Sequence, residues 1–486
     1  MYSMNLRTVI TKMTTWPSPQ SLPDLSDHQR DRYADAASGC LGLLGGKPGT
    51  GKTFTLARIL SQIPPGRLAV ASPTGKAAVR ITESLQKAGV SGIRAKTIHS
   101  LLGPNRDEDS GQWSFEHDED NPLPLDWIFV DEASMMDTPL AASLLEARAP
   151  GCRVMLIGDV NQLAPVGFGA PLRDLIAAGL PYGELTEIQR NSGRIVRACH
   201  AIIDRHRFEP SPRLDLGAES PENLLHIERR EPDEQINTLK AGLEKFLSGT
   251  TIAGRRIDPV WDCQVVVPVN EKSPLGRVNL NRILQGFLNP GGETVAGNPF
   301  RVADKIVNGK NGWFSIQPHP MRLGLKDGGP WNAEQKDGKV YAANGEQGKV
   351  LAVFPAYTIA RMWLPDRLIR IPRGNGNQDE NGEETGTGCK WDLAYALSVH
   401  KSQGSDWPVV ITMADGYPGA RMLCDRCWLY TALSRAATLA ITIGQRDVLD
   451  GMCSKSHIWN RKTFLVESIQ ELEQQSIARG FEEALA

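Results

Sequence analysis

The sequence predicts an α/β protein built on two parallel-sheet domains, and three observations carry that expectation. Short apolar runs alternate with helical stretches through residues 38–200, a glycine-rich phosphate-loop pattern follows the first run, and further buried-strand candidates appear after residue 260. The early runs, 41–44, 68–71, 127–130 and 154–157, each end in Gly, Ser or Asp and lead into polar, helix-opening sequence. That rhythm belongs to a sheet flanked by helices, with ligands expected beyond the C-terminal ends of the strands.

The other elements follow in order. The run 102–125 breaks the rhythm: it is acidic and turn-rich, sets Trp113 and Phe115 between charge clusters, and predicts a small β-hairpin. Runs 264–267, 409–413 and 439–443 predict strands of a second α/β domain. Between its halves, residues 349–354 and 368–371 read as strands of a small β module, and the Gly, Asn and Glu-rich stretch 374–388 as a mobile loop. Residues 459–486 carry helix formers and predict a terminal helix. The expected division is an arm over 1–24, a first domain over 25–190, a second over 191–290 and 391–450, an insertion over 291–390 and a helical tail over 451–486.

Composition narrows the class. The 486 residues are 41% hydrophobic and 23% charged with a net charge of −2, so no global positive field advertises a nucleic-acid partner. A groove lined locally by Lys and polar groups stays open. The longest apolar runs, such as 40–44, are far too short to span a bilayer, and no signal-peptide pattern precedes them. Residues 1–23 lack Asp and Glu, as a transit peptide would, but are expected to form a loose arm. Eight scattered cysteines suit a reducing compartment, so a cytoplasmic monomer with no membrane contact is expected. Cys424, Cys427, Cys453 and His457 have the superficial spacing of zinc ligands. Cys427 runs into the apolar segment 428–433, however, and buried thiols are the expectation.

The chemistry starts at Gly46-Lys47-Pro48-Gly49-Thr50-Gly51-Lys52-Thr53, which fits G-x-x-x-x-G-K-[ST] between a strand and a helix. Its glycines let backbone N–H groups approach phosphate, and the following helix N-terminus adds a favourable dipole. Lys52 supplies a point charge for the β and γ phosphates of ATP, and the Thr53 hydroxyl can hold Mg²⁺. The strand at 127–130 delivers Asp131 and Glu132. Asp131 can coordinate Mg²⁺ and Glu132 can polarise the attacking water. These residues describe an ATPase, not yet a motor.

Further segments suggest one. They are Ala71-Ser-Pro73-Thr74-Gly-Lys76-Ala-Ala78, Lys96-Thr97-Ile-His99-Ser100, Gly158-Asp159-x-Asn161-Gln162-Leu163-x-Pro165-Val166-Gly167, Leu185-Thr186-x-x-x-Arg190, His400-Lys401-Ser402-Gln403-Gly404-Ser405-Asp406 and Tyr430-Thr431-Ala432-x-Ser434-Arg435. With the phosphate loop, and from about residue 25 to 444, the chain resembles superfamily 1 DNA helicases of the RecD/Dda type. The resemblance implies two RecA-like motor domains, with a β-hairpin pin inserted in the first and an SH3-like module in the second. It implies that Gln29 contacts adenine through its amide, although a solvated helix glutamine would look the same. Pro73, Thr74, Lys76, Thr97, His99, Asn161, His400, Lys401, Ser402 and Gln403 would grip the strand through contacts that carry no base preference. Gly404 and Asp406 would reach the nucleotide, and Gln162, Arg190 and Arg435 the γ-phosphate. A guanidinium placed there is worth roughly 10³–10⁵ in rate, about 4–7 kcal/mol. Trp113 or Phe115 would stack on a terminal base pair or, equally, pack in the core. The implied activity is ATP hydrolysis at the cleft between the domains, driving 5′→3′ movement on single-stranded DNA and unwinding at duplex junctions, alongside replication or repair proteins. An RNA motor, or a scaffolding subunit of a recombination complex, remain the alternatives. The sequence departs from the family at Asp406, where Glu is more frequent, at Lys47, where Gly is usual, and at Ser434, where Thr is common.

Overall fold

A computed structural model describes residues 15–472 and 474, except 107–112, 188–192, 219, 317–334, 337–338, 364–365, 373–376, 379–383, 386–389 and 459–460. The chain divides into two compact units, Met1–Arg190 with Ser456–Ala486, and Asn191–Lys455.

In the first unit the strands are β1 (Leu41–Gly46), β2 (Leu68–Ser72), β3 (Lys96–Thr97), β4 (Pro104–Arg106), β5 (Trp113–Phe115), β6 (Trp127–Val130), β7 (Arg153–Gly158) and β8 (Tyr182–Leu185). Six of them form one sheet in the order β3-β2-β6-β7-β1-β8, parallel at every pairing. Neighbours along a strand fall in different cores: Leu44, Phe129 and Met155 in one, Leu43, Ile128 and Val154 in the other. Alternation of side chains across a pleated sheet with both faces covered produces this split. Parallel strands also bring every C-terminal end to one edge, so Gly46, Ser72, Asp131 and Gly158 share it.

The helices start where side-chain caps allow. Thr74 accepts from Ala77 N–H at 3.4 Å to open Gly75–Lys87, and Asp137 accepts from Leu140 N–H at 3.0 Å to open Thr138–Glu146. Each such cap is worth about 1 kcal/mol. Within Gly75–Lys87, Ala77, Ala78, Ile81 and Leu85 are buried at helical spacing and hold it on the sheet.

One expectation for this unit changes. Residues 16–24, expected in a loose arm, pack against the domain together with Leu25. Trp16 donates to Gly39 O at 2.7 Å and meets the Phe129 ring edge-on at 5.7 Å, while Leu22 and Leu25 are buried. A tryptophan next to an open sheet face removes so much apolar area from water that the segment orders around it. The hairpin over 102–125 contains the antiparallel pair β4–β5, and Phe115 packs on the core and beside the His99 ring, 5.9 Å away. Trp113's side chain lies outside the described residues.

The second unit holds a parallel five-stranded sheet in the order Ala396–Ser398, Cys263–Val267, Trp407–Ala414, Ala436–Gly444, Leu224–Glu228. An eight-stranded antiparallel sheet, from Lys305–Asn308 to Trp391–Leu393, interrupts it. The predicted strands at 349–354 and 368–371 correspond to Gln347–Val353 and Asp366–Pro372 in that sheet. Of the stretch 374–388, the described part is an antiparallel pair, Asn377–Gln378 with Glu384–Thr385, and the rest lies outside the described residues. The segment 428–433 is part of the helix Arg426–Leu433, every residue of which is buried. Cys424, Cys427 and Cys453 are buried as well, and burial pushes the Cys453 thiol up to about 12. Residues 465–472 are helical, and Ile469 packs on the first unit's core. Among the described residues no helix is long and apolar enough to cross a membrane.

Candidate active site

At the end of β1 the chain turns through Gly49 and Gly51, both at positive φ, 81° and 87°. Gly51 then caps the helix Lys52–Leu60 in the left-handed region, which side-chain-bearing residues adopt only at a cost. Pro48 lies half-buried within the loop. The Thr50 hydroxyl donates to Lys47 O at 2.8 Å, and a Cβ on Gly46 would stand 2.6 Å from that hydroxyl oxygen. Lys52 Nζ donates to Gly46 O and, at 3.3 Å, to Lys47 O. The ammonium is therefore held over the loop by weak carbonyl partners that a phosphate, with its full charge, would displace. Thr53 follows on the first turn of the helix, half-buried.

Asp131 continues β6, its N–H donating to Ala71 O at 3.0 Å on β2. Its carboxylate is buried and accepts from Glu132 N–H at 2.8 Å. Burial, then the Glu132 charge, raise its pKa to about 6, against the pull of Lys52 and Arg80. An anion with that balance is short of cationic partners. Glu132 sits at φ 55°, in the left-handed region, so the chain turns sharply between the two carboxylates.

More polar groups on this edge lack partners. Gln162, 4% exposed, follows β7 by four residues; its N–H donates to Asp159 O, and its Oε1 has no partner among the described residues. The buried Ser134 and Ser72 hydroxyls lack one too. Buried polar atoms are nearly always paired, so several orphans on one strand edge indicate that a ligand supplies the missing bonds.

Gln29 lies in the first turn of its helix. It is buried, and with Ser26 it forms a reciprocal capping box: Ser26 N–H donates to Gln29 Oε1 at 3.1 Å, and Gln29 N–H to Ser26 Oγ at 3.2 Å. The amide acceptor is thus engaged by the helix start, which leaves its NH₂ group for a base.

The strand-contact candidates divide by burial. Pro73, Thr74 and Lys76 are half-buried around the start of Gly75–Lys87, Asn161 is half-buried after β7, and His99 is exposed. Burial lowers the His99 pKa, partly countered by Asp137. The Thr97 hydroxyl, by contrast, is buried and caps Ser100 N–H at 2.9 Å. In the second unit His400 is exposed and Lys401 half-buried, 3.5 Å from Asp392. Ser402 is wholly buried and donates to Val399 O at 2.7 Å, so a strand-contact role does not fit its placement here. Gln403 is buried, with an Nε2 that has no partner among the described residues. Gly404 is buried at φ 69°, and Asp406 is exposed.

Arg435 is 4% exposed and bonds Thr431 O at 3.2 Å, Ser434 Oγ at 3.1 Å and Ser405 O at 3.4 Å. The fold therefore brings it onto the 400–406 loop, as two motifs 30 residues apart in sequence. Arg190 lies outside the described residues.

A family model described as an AAA domain matches residues 29–168, and one described as a UvrD-like helicase C-terminal domain matches residues 393–443. Over 453 residues the chain is 30% identical to the RecBCD enzyme subunit RecD of Mycolicibacterium smegmatis, with 87% of this chain and 73% of that protein covered. The chain belongs to the RecD family. It is a RecD-type protein with a parallel sheet in each unit, and its phosphate-loop domain binds nucleotide. It is also 30% identical over 466 residues to the ATP-dependent RecD2 DNA helicase of Deinococcus radiodurans, with 94% of this chain covered. It spans 54%, about half, of that relative's length. A solved Pif1 helicase from Bacteroides, in complex with ADP-AlF3 and ssDNA, is similar over 93% of this chain and 97% of its own, at 16% identity and a TM-score of 0.47.

Sequence reasoning did not single out two residues close to these carboxylates. Arg80 lies near enough to Asp131 to pull its pKa down, and it stands four residues after Lys76, on the same helix face. That spacing was a readable signal. Ser134, two residues after Glu132, gave none, because an orphaned hydroxyl shows only once its surroundings are packed.

Proposed function

We propose that this RecD-family chain is an ATP-dependent DNA helicase that moves 5′→3′ along single-stranded DNA and unwinds duplex at junctions. The observation that carries this reading is the under-partnered polar cluster on the first sheet's edge. Lys52 beside Asp131, with the orphaned Gln162 and Ser134 side chains, suits a nucleotide triphosphate better than any internal structural role.

Each residue then has a task. The 46–53 loop wraps the phosphates and Lys52 holds the β and γ oxygens. Glu132 orients water and takes its proton, while Gln162 senses the γ-phosphate. Asp131 and Thr53 would hold Mg²⁺: both offer hard oxygen donors, and a cation relieves the burial penalty on Asp131. When bound, the ion neutralises charge on the β and γ oxygens. Gln29 gives its NH₂ to the adenine. Arg190 and Arg435, with Gly404 and Asp406, respond to the same triphosphate, so turnover changes how tightly each unit grips the strand.

Pro73, Thr74, Lys76, His99, Asn161, His400, Lys401 and Gln403 supply those grips. The β4–β5 hairpin acts as the strand-separating pin, and the antiparallel sheet is read as an SH3-like module. Each base-pair step opened costs about 1.4 kcal/mol on average. The protein works as a cytoplasmic monomer that meets replication or repair proteins.

The test is unwinding of duplexes with a 5′ or a 3′ single-stranded overhang, with and without ATP. Unwinding of the 5′-tailed substrate alone, dependent on ATP, is expected. Unwinding of neither, with ATP turnover indifferent to single-stranded DNA, would overturn the motor reading. Competition by a matched RNA oligonucleotide at equal strength would shift the substrate to RNA.

A further inference from the structure

The loop after Gln162 is tied down from several directions, yet it presents two bare apolar side chains. Thr138 N–H donates to Phe168 O at 2.8 Å. Arg461 Nη1 donates to both Gly167 O and Gly169 O, each at 3.1 Å. Gly169 lies at φ 82°, and a Cβ there would stand 1.9 Å from Thr138 Oγ1, while one on Gly167 would stand 2.1 Å from Asp137 Oδ2. The loop backbone is therefore pressed flat against the start of the helix Thr138–Glu146, with no room for a side chain between. Val166 and Phe168 point the other way, each 86% exposed. Single exposed apolar residues are ordinary. Two on one immobilised loop, with glycines on the packed side, are a built feature.

Arg461 is itself anchored. Its carbonyl accepts from Arg173 Nη2 at 3.1 Å, Arg173 also donates to Ile458 O, and Thr463 Oγ1 donates to Asp174 Oδ2 at 2.6 Å. Arg173 and Asp174 are buried and paired with each other, Nε to Oδ1 at 2.7 Å, on the helix Pro171–Ala177 that follows the loop. The chain thus returns from the second unit to fasten onto this helix, and from there Arg461 reaches back to the loop.

We infer that Arg461 is a positioning residue: it fixes the 165–169 loop so that Val166 and Phe168 stand out as an apolar contact for the bases of bound single-stranded DNA. The inference rests on the helicase reading given above. Bases are the occupant because the helix carrying the exposed His99 packs against the same helix Thr138–Glu146, and Asn161 opens the same loop. An aromatic ring beside backbone-gripping groups accepts any base by stacking, as a motor without sequence preference requires. Since Gln162 lies three residues before that loop, fixing the loop also bears on how strand contact is felt at the nucleotide.

The test uses the full chain with Arg461→Ala, Arg461→Lys and Phe168→Ala. ATP turnover is followed without DNA and against rising oligo-dT, and thermal unfolding is recorded. Arg461→Ala should leave DNA-free turnover within about twofold and raise the oligo-dT concentration for half-maximal stimulation roughly tenfold, about 1.4 kcal/mol. Lysine, a shorter side chain without the guanidinium's fixed fork, should fall between, and Phe168→Ala should move the same constant in the same direction. A merely structural Arg461 would lower the melting temperature and leave that constant alone, which overturns the inference. If Arg461→Ala does not fold, an unchanged constant in Phe168→Ala overturns it instead. Absence of stimulation in the wild-type protein would defeat the helicase reading, a result distinct from either.

Discussion

The nucleotide edge of the first unit and the root of the inserted sheet in the second both bury a charged side chain, and they treat it in opposite ways. At the root, Lys305 is wholly buried, but its ammonium donates to Val260 O at 2.8 Å, Gln264 Oε1 at 3.1 Å and Cys263 O at 3.4 Å. It also lies 5.6 Å from the Trp261 ring centroid and 5.9 Å from that of Trp407. In the charged form all three donors have partners and two aromatic faces lie close, although burial still pushes the pKa from 10.5 down to about 7. Gln264 in turn donates to Ala394 O and Tyr395 O, stitching the inserted sheet to the parallel sheet. At the nucleotide edge, Asp131 has one backbone donor and a carboxylate neighbour, with orphaned Gln162 and Ser134 nearby. A buried polar group with its partners present is a fastener. One without them among the described residues is a candidate ligand contact.

Substitutions can break or sharpen this contrast. The largest effect should come from Lys52→Ala, which should cut kcat for ATP by at least roughly 10²–10³-fold. Its melting temperature should barely move, because Lys52 serves only loop carbonyls. Near-normal turnover would remove Lys52 from the chemistry.

At the root, Lys305→Met keeps the volume but leaves Val260 O and Gln264 Oε1 without the ammonium. The second unit should lose about 2–4 kcal/mol in denaturant unfolding. Retention of full stability would contradict the fastener role. The pH dependence sharpens it: burial pushes Lys305 from 10.5 down to about 7. Between those values the unfolded chain holds a proton that the folded chain has released. Stability should therefore climb from pH 7 to 10.5 and be lost again as pH falls to 7. The climb should disappear in Lys305→Met.

Asp131→Asn should act in the reverse sense. The folded carboxyl pKa, raised from 3.8 to about 6, gives stability that is full below 3.8 and lost as pH rises through 6. At pH 8 the asparagine variant should be more stable than wild type by about 1–3 kcal/mol in the absence of nucleotide, while ATP turnover disappears. A destabilised variant would mean that Asp131 is satisfied by its neighbours after all. The smallest effect belongs to Ser134→Ala. Losing an unpartnered hydroxyl should change stability by less than about 0.5 kcal/mol. A severalfold rise in KM for ATP is the expected readout, and an unchanged KM would place Ser134 outside the nucleotide's reach.

Much of the nucleotide site was legible because its parts are contiguous. Residues 46–53 and 131–132 each follow one strand directly, and a parallel sheet must bring such ends to one edge. Hydroxyls and amides were read less well. Thr97, Ser402 and Gln29 have the chemistry of contacts, yet Thr97 caps a helix, Ser402 bonds its own turn, and Gln29 Oε1 is taken by Ser26. The Ser26-x-x-Gln29 spacing is itself a capping-box signal, so that role could have been read from the sequence. Phe115 illustrates the reverse, a residue with two open readings that packing decided in favour of the core.

By itself the sequence determined the two parallel sheets, the phosphate loop and the paired carboxylates, because strand periodicity and short motifs are local and act within a few residues. Only the tertiary structure decided which charges have partners. Lys305 meets Gln264 41 residues away, and Arg461 meets Gly167 across 294. No local pattern encodes such pairings: they arise when separate elements pack and exclude water, and the same exclusion leaves Gln162 Oε1 buried without a partner among the described residues.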